Sequence, residues 1–391
     1  MLDPYRIRED FPSIAGEYIF MNNADSTGIP VPVLEKILAY YNEVKSRPGL
    51  ENTSSHRALE LYEEARGRIF EHFGVGEDSM VFTSSNLQSL LLILQSVDFK
   101  KNEVFLVSSN AQGGVMSLLK EYVETMRGRL EVLDFEKEGF EEKLKGALVG
   151  KTVKAALLNH VSGATGTMLP IDKVIPFLKE KGILTILDAT YSVQRIKLTI
   201  PKTGVDYAFF RSGNMFSIEG LGILYVSEER LSRVEKTPGF FVVKQAEKEN
   251  CIGVVALAAA LEYLNRLGFE DILNHEKNLA EEIVNAASGE GVTFYQSASK
   301  ELRTGILSLV LDQVPSSLLQ TILEDQFHIL AESGGFDSPI ILSKTGGRDV
   351  LRLSPTVFNT LEEARIVGER IAEIREAYFR KTVEKQVLEE T

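Results

Sequence analysis

The chain has 391 residues, of which 44% are hydrophobic, and it carries a formal net charge of −13. That acidic balance argues against binding to nucleic acid or to an anionic membrane surface, because both require clustered lysine and arginine. A single cysteine, Cys251, excludes intramolecular disulfide bonds and cysteine-based metal clusters.

Short apolar runs alternate with amphipathic stretches over the first two thirds of the chain. The runs are continuously apolar, which is typical of strands covered on both faces of a parallel sheet. The predicted strands are Met80–Thr83, Glu103–Val107, Ala155–Asn159, Leu184–Asp188, Tyr207–Phe210 and Gly222–Val226. The helices predicted between them are Leu87–Gln95, Met116–Arg127 and Ile171–Lys181. This alternation predicts an α/β domain built on a mostly parallel sheet.

The pattern changes after a long helix rich in Ala and Leu, which is predicted over Ile252–Leu267 and ends at Gly268. The elements predicted after it are a helix over Glu270–Ala287, a strand over Gly305–Leu311, a helix from near Pro315, a strand over Asp349–Leu353 and a helix that opens with the capping box Thr360-x-x-Glu363. These elements predict a smaller α+β domain. We therefore expect an N-terminal arm packed on the small domain (residues 1–20), a large α/β domain (21–255) and a small C-terminal domain (256–391).

The location of the protein and its metal content can also be predicted from the residues. The sequence has no apolar run of about 18 residues, and its N-terminus lacks the apolar core of a secretory signal. We therefore expect a cytoplasmic protein without a membrane segment. The five histidines are scattered without the spacing of paired ligands, so the sequence predicts no metal site.

Ligands of open α/β sheets bind outside the carboxyl ends of the strands. In this chain, that rule selects Ser84–Gln88, Ser108–Gly114, His160–Thr167, Asp188–Ser192 and Arg211–Asn214.

Seven segments together carry a resemblance to a known family. They are Arg8–Pro12, Met21–Ala24, Val81–Ser84, His160–Thr167, Leu187–Val193, Gly204–Met215 and Arg352–Thr360. In this order, they resemble motifs of the class V aminotransferase and cysteine desulfurase family, whose members use pyridoxal 5'-phosphate. The resemblance implies a fold-type-I architecture, in which a large, mostly parallel α/β sheet domain is joined to a smaller C-terminal α+β domain. It also implies a homodimer.

The resemblance assigns three positions whose residues are kept. Asp188 matches the carboxylate that holds the pyridine nitrogen of the cofactor protonated. Arg352 matches the arginine that binds the substrate carboxylate, and Asn23 lies in a second segment assigned to the substrate.

The position of the Schiff-base lysine, by contrast, is occupied by Asn214, whose amide nitrogen is neither basic nor nucleophilic. Other positions that contact the cofactor in this family are changed as well. Ser85, Asn86 and Leu87 lie in the phosphate loop, and Ala111 or Gln112 stands where the family has a histidine that stacks on the cofactor ring. The changed positions near the cofactor oxygen are Gly163 and Tyr191, and those beside the phosphate are Arg211 and Gly213. Lys248 lies near the position at which the family has a threonine that reaches the phosphate of the partner subunit. Phe336 or a neighbour replaces the cysteine that carries the persulfide in desulfurases.

Three hypotheses follow from these departures. In the first, the chain is a divergent family member without Schiff-base or desulfurase chemistry, and serves as a scaffold or as a regulatory partner of an active paralogue. In the second, it uses pyridoxal phosphate non-covalently or through a displaced lysine, Lys202 or Lys248, as a transferase or lyase. In the third, Asp188, Tyr191, Arg211, Lys248 and Arg352 line a pocket for a small anionic ligand.

Overall fold

The computed structural model describes residues 2–14, 16–111, 113–134 and 140–390, apart from the side chains of residues 140, 141, 143, 247 and 380–390. Gln112, one of the two positions aligned with the stacking histidine, lies outside the described residues. The chain forms two compact units. Unit 1 comprises Met1–Ser26, Gly163–Met168 and Glu270–Thr391, and unit 2 comprises Thr27–Ser162 and Leu169–Phe269.

Helices and strands are numbered in chain order. The helices are α1 (Pro4–Glu9), α2 (Val31–Glu43), α3 (Thr53–Phe73), α4 (Asn86–Ser96), α5 (Gly113–Thr125), α6 (Phe140–Leu148), α7 (Ile171–Glu180), α8 (Glu228–Val234), α9 (Phe240–Ala246), α10 (Cys251–Leu267), α11 (Phe269–Ala287), α12 (Ser316–Phe327), α13 (Pro339–Thr345) and α14 (Leu361–Glu390). The strands are β1 (Ile19–Phe20), β2 (Met80–Thr83), β3 (Val104–Ser108), β4 (Arg129–Leu133), β5 (Val153–Asn159), β6 (Leu184–Asp188), β7 (Tyr207–Arg211), β8 (Gly222–Val226), β9 (Val292–Tyr295), β10 (Leu307–Leu311), β11 (Ile329–Leu330), β12 (Glu332–Gly334) and β13 (Val350–Leu353).

Unit 2 is built on a seven-stranded sheet in the order β2-β8-β7-β6-β5-β3-β4. The neighbours from β4 to β7 pair in parallel, and β8 runs antiparallel to both β7 and β2. The six strands predicted for this part of the chain are present, and the mostly parallel sheet is confirmed. The strand that the sequence did not predict is β4. It lies at an edge of the sheet, all of its residues are exposed or half-buried, and the charged Arg129 and Glu131 interrupt any continuous apolar run.

Unit 1 contains a four-stranded antiparallel sheet in the order β12-β13-β10-β9, and β1 pairs in parallel with β11. The capping box at the start of α14 is present, because Glu363 N donates to Thr360 Oγ1 at 3.1 Å and Thr360 N donates to a Glu363 carboxylate oxygen at 2.9 Å. Arg8 binds the same Glu363 at 2.6 Å, and Phe11 packs on Phe358. These contacts pack the N-terminal arm against the C-terminal part of unit 1.

The division into units differs from the expected one at two boundaries. The arm that belongs to unit 1 runs to Ser26 instead of residue 20, because β1 and the turn after it are hydrogen-bonded within that unit. The expected boundary after residue 255 falls inside α10, which belongs to unit 2. Small side chains such as Ala256 and Ala260 allow α10 to pack closely with Val33 of α2. The chain therefore leaves unit 2 after Phe269.

Hydropathy gives little sign of a membrane segment in the described part of the chain. No single helix there is long and apolar enough to cross a bilayer. The segments Phe240–Leu267 and Phe269–Ala287, which meet at a bend of 74°, together have the length and apolar composition of a span.

Candidate functional site

Asp188 is the last residue of β6 and is 5% exposed. Its carboxylate accepts hydrogen bonds from Asn159 Nδ2 at 3.0 Å and from the backbone N–H of Thr190 at 3.0 Å. Burial raises the pKa of Asp188, while hydrogen bonding to Thr190 and the positive charge of Arg211 act in the opposite direction. The strand-end position predicted for Asp188 is therefore present, with its two oxygens held by the protein.

Asn214 lies in a 3₁₀ turn directly after β7 and is fully buried. Its side-chain oxygen Oδ1 accepts a hydrogen bond from Arg211 Nε at 2.5 Å. The turn itself is fixed by Thr27, whose hydroxyl donates to the Gly213 carbonyl and accepts from the Phe216 N–H, each at 2.9 Å. The residue aligned with the Schiff-base lysine is thus an amide held in place by a neighbouring guanidinium.

Gly213, at the position of a phosphate-side histidine, lies against the end of the exposed Glu219 side chain. A Cβ added there would overlap the carboxylate of Glu219. An acidic group therefore occupies the space where the resemblance expects a basic ring, and its charge opposes the binding of a phosphate.

The expected phosphate loop lies at the N-terminus of α4. Ser85 caps the helix by accepting from Gln88 N at 3.1 Å, and Gln88 Oε1 accepts from Ser84 N at 2.7 Å. Asn86 is the first helical residue, and the neighbouring Leu87 is 38% exposed. The backbone N–H groups of Ser84 and Gln88, which an incoming phosphate would contact at this helix end, therefore already donate to side chains of the protein.

Several buried polar atoms at the carboxyl edge of the sheet have no hydrogen-bond partner among the described residues. They are Ser109 Oγ and Asn110 Oδ1 after β3, Asn159 Oδ1 and His160 Nδ1 at the end of β5, and Thr190 Oγ1 after β6. Burial lowers the pKa of His160 to about 4, so its ring is neutral at pH 7. The segments selected from the sequence contain all of these residues except Asn159, which lies one position before His160. A polar residue that ends an apolar strand is the signal that would have included it.

In unit 1, Arg352 is 2% exposed, and its guanidinium donates to the Gly163 carbonyl and to Asn22 Oδ1, each at 3.2 Å. Phe336 lies over it, with 4.3 Å between the Arg352 Cζ atom and the ring centroid. Asn23 is buried, and its Nδ2 donates to the Ser354 carbonyl. Of the two neighbouring asparagines, Asn22 contacts Arg352, whereas Asn23 was the one assigned to the substrate.

The other predicted site residues lie at different places in unit 2. Ala111 is fully buried after β3, and Tyr191 is half-buried after β6. The Nζ of Lys248 is 3.8 Å from a carboxylate oxygen of Glu63 on α3. Lys202 lies in a turn before the amino end of β7, which is the edge of the sheet opposite to Asp188. A five-residue strand separates the two edges by roughly 16 Å.

Cys251, the first residue of α10, is 2% exposed. Its thiol donates to the Ala58 carbonyl at 3.5 Å, and burial raises its pKa. The neutral thiol is therefore the favoured form, and it is a poor nucleophile.

Comparison with known proteins gives the family. The family model described as aminotransferase class-V matches residues 19–367. The chain belongs to the class-V aminotransferase family. A probable cysteine desulfurase of Pyrococcus abyssi is 22% identical to it, and the match covers 92% of this chain and 94% of that protein.

Solved structures of other proteins show the same fold. The apo cysteine desulfurase of Thermococcus onnurineus NA1 has a TM-score of 0.87 and 21% identity, and the match covers 96% of this chain and 99% of that one. A C-DES mutant with glycine covalently linked to its PLP cofactor has a TM-score of 0.77 and 16% identity, covering 93% and 98%. These likenesses confirm the fold-type-I architecture.

Pyridoxal 5'-phosphate is therefore the cofactor that the class-V family implies, but the residues of this chain do not fit its covalent attachment. Asn214 supplies no amine, the Glu219 carboxylate lies beside Gly213, and Leu87 stands where a phosphate-binding hydroxyl is expected. Asp188 keeps the residue type that the cofactor ring requires.

Proposed function

We propose that this chain is a class-V family member that performs no Schiff-base catalysis and acts as a ligand-binding or regulatory homologue. The observation that carries the proposal is the buried Asn214, whose oxygen is occupied by Arg211 Nε at 2.5 Å. An amide nitrogen is neither basic nor nucleophilic, so it cannot form an imine with an aldehyde.

The positions of the two displaced-lysine candidates support this proposal. Lys202 belongs to the opposite edge of the sheet, and Lys248 is half-exposed and faces Glu63. Neither lysine is held at the strand ends that carry Asp188 and Asn214. This favours the first hypothesis over the use of pyridoxal phosphate through another lysine.

The proposal also excludes cysteine desulfuration. That reaction needs an accessible thiolate to accept sulfur, and the chain has one cysteine, which is buried and held as a thiol. Phe336, one of the residues aligned near the persulfide cysteine, stacks on Arg352 instead.

The direct test is to trap any imine. The purified protein is incubated with pyridoxal 5'-phosphate, reduced with borohydride, digested and examined by mass spectrometry, with a cysteine desulfurase as the positive control. We expect the desulfurase to carry the reduced cofactor on one lysine at full occupancy, and this protein to carry only scattered surface labelling. Labelling that Lys248→Arg leaves unchanged agrees with this expectation. Full occupancy of any one lysine overturns the proposal.

We further propose that the protein is a homodimer, as the resemblance implies. Large apolar side chains are exposed on two helices of unit 2, namely Leu38 and Tyr41 on α2 and Phe241 and Val242 on α9. Exposed apolar residues of this size are enriched at interfaces between subunits. Light scattering coupled to size exclusion gives the mass directly, and a monomer at micromolar concentration refutes this part.

A further inference from the structure

Three adjacent parallel strands of unit 2 end in a row of buried polar side chains. Asn159 pairs in register with Asp188, and Val107 pairs with Leu157. Continuing that register by two residues brings Ser109 level with Asn159. Side chains at matching positions of neighbouring strands point to the same face, with the strands about 4.8 Å apart. The hydrogen bond from Asn159 Nδ2 to Asp188 Oδ2 agrees with this arrangement.

The hydrogen bonds also determine how the Asn159 amide is oriented. The Asn159 Nδ2 donates to Asp188 Oδ2 at 3.0 Å, and the amide oxygen Oδ1 therefore faces away from the carboxylate. That oxygen has no partner among the described residues, and the same holds for Ser109 Oγ. Both side chains are at least 95% buried.

Thr190 adds a third such group beside Asp188. Its hydroxyl lies near enough to the carboxylate to lower the pKa of Asp188, yet it makes no hydrogen bond of acceptable geometry. Buried polar groups are almost always hydrogen-bonded in folded proteins. The three neighbouring groups Ser109 Oγ, Asn159 Oδ1 and Thr190 Oγ1 therefore indicate a binding site for a polar ligand.

We infer that the row Ser109, Asn159, Asp188 and Thr190 is a non-covalent subsite for a nitrogen group with at least two N–H donors, such as an amidine or an amino-heterocycle. Asn159 Oδ1 and the Asp188 carboxylate accept the N–H donors, and the two hydroxyls either donate or accept. The inference rests on the proposed function, in which the group at this edge is bound without a covalent bond.

This ligand class differs from the anionic ligand expected from the sequence. A carboxylate or phosphate at the row would face the Asn159 oxygen and the Asp188 carboxylate, which are both acceptors. Repulsion between these groups is strong in a buried site, where water does not screen it. The row therefore selects donors over anions.

The probes are benzamidine, 2-aminopyridine and, as the donor-free anion, benzoate, each titrated into the full chain by calorimetry. We expect at least one of the two nitrogen probes to bind and benzoate not to bind. Replacing a single partner, by Ser109→Ala or Thr190→Val, is expected to weaken that binding about tenfold, as for a loss of one hydrogen bond to a charged ligand.

A matched pair of variants separates ligand contact from a structural role. Thr190→Val removes a hydroxyl that has no hydrogen-bond partner among the described residues but favours the charged form of Asp188, and these two effects oppose each other. It should therefore leave the melting temperature of the free protein nearly unchanged while weakening probe binding. Thr185→Val makes the same change five residues earlier, within β6, but removes a hydroxyl bonded to Asp206 at 3.0 Å. It should lower the melting temperature and leave probe affinity unchanged.

The inference is overturned if neither nitrogen probe binds, or if Thr190→Val and Ser109→Ala bind them as the natural chain does. Neither of these results changes the outcome expected in the borohydride experiment. A lysine adduct in that experiment overturns the proposed function instead, so the two failures are distinguishable.

Discussion

The ring of Phe336 lies 4.3 Å from the guanidinium carbon of Arg352. To place it there, Phe336 and Asp337 both adopt positive φ, at 53° and 49°, and Ser338 N donates to the Gly335 carbonyl at 3.0 Å. They are therefore the two central residues of a tight turn whose left-handed backbone favours Asn-Gly. The stack on Arg352 offsets part of the conformational cost of a phenylalanine in this position.

Replacing Asp337 should relieve part of that strain. Asp337 is exposed, so Asp337→Gly removes the steric penalty of its left-handed backbone without loss of packing. We expect the free energy of unfolding in urea to rise by about 0.5 kcal/mol. The matched control is Asp78→Gly, at an exposed turn residue without positive φ. There the added freedom of the unfolded chain should lower stability, and a gain in both variants would refute the explanation.

Gly166 is required by both its conformation and its surroundings. Its φ is +68°, and an added Cβ would overlap the Ile306 carbonyl. Gly166→Ala is therefore expected to destabilise the protein by at least about 2 kcal/mol more than Gly182→Ala, which has φ +69° but open space around it. Chemical denaturation of both variants measures the difference. Equal losses would mean that the backbone conformation alone matters.

Two buried histidines predict a loss of stability in mild acid. Burial lowers the pKa of both His72 and His160 to about 4, whereas the unfolded chain titrates near 6.5. Between these values the unfolded state binds protons that the native state excludes. Stability is therefore fully present above about pH 6.5 and falls as the pH drops toward 4, by up to about 1.4 kcal/mol per pH unit for each histidine.

Urea unfolding as a function of pH measures this slope, and His72→Gln should remove one histidine's share of it. His56→Gln, at an exposed histidine, is the control and should leave the slope as it is. A slope in His72→Gln equal to that of the natural chain would contradict the assignment.

The thiol of Cys251 should be inert while the protein is folded, because it is 2% exposed and burial raises its pKa. We expect Ellman's reagent to detect no thiol in the native protein and one per chain in guanidinium chloride. Rapid reaction of the native protein would show that the thiol is accessible, and would weaken the argument against sulfur chemistry.

Much of the fold follows from local patterns that need no tertiary information. The continuously apolar strands β2, β6 and β8 were predicted to the residue, and the capping box of Thr360 and Glu363 formed as expected. Strand β4 was not predicted, because its five residues are exposed or half-buried and include Arg129 and Glu131, so it lacks that pattern. The expected boundary after residue 255 falls inside α10, and the packing of that helix on α2 within unit 2 is a tertiary contact that the local pattern does not contain.

The sequence by itself determined the family, the absence of an amine at position 214 and the retention of Asp188 at a strand end, since these depend on residue identity in order along the chain. Only the tertiary structure decided that Arg211 occupies the oxygen of Asn214, that Glu219 fills the space beside Gly213, and that Ser109 and Asn159 join Asp188 in one row. These residues are far apart in sequence or belong to irregular turns. Their contacts depend on sheet register and turn conformation, which no local periodicity encodes.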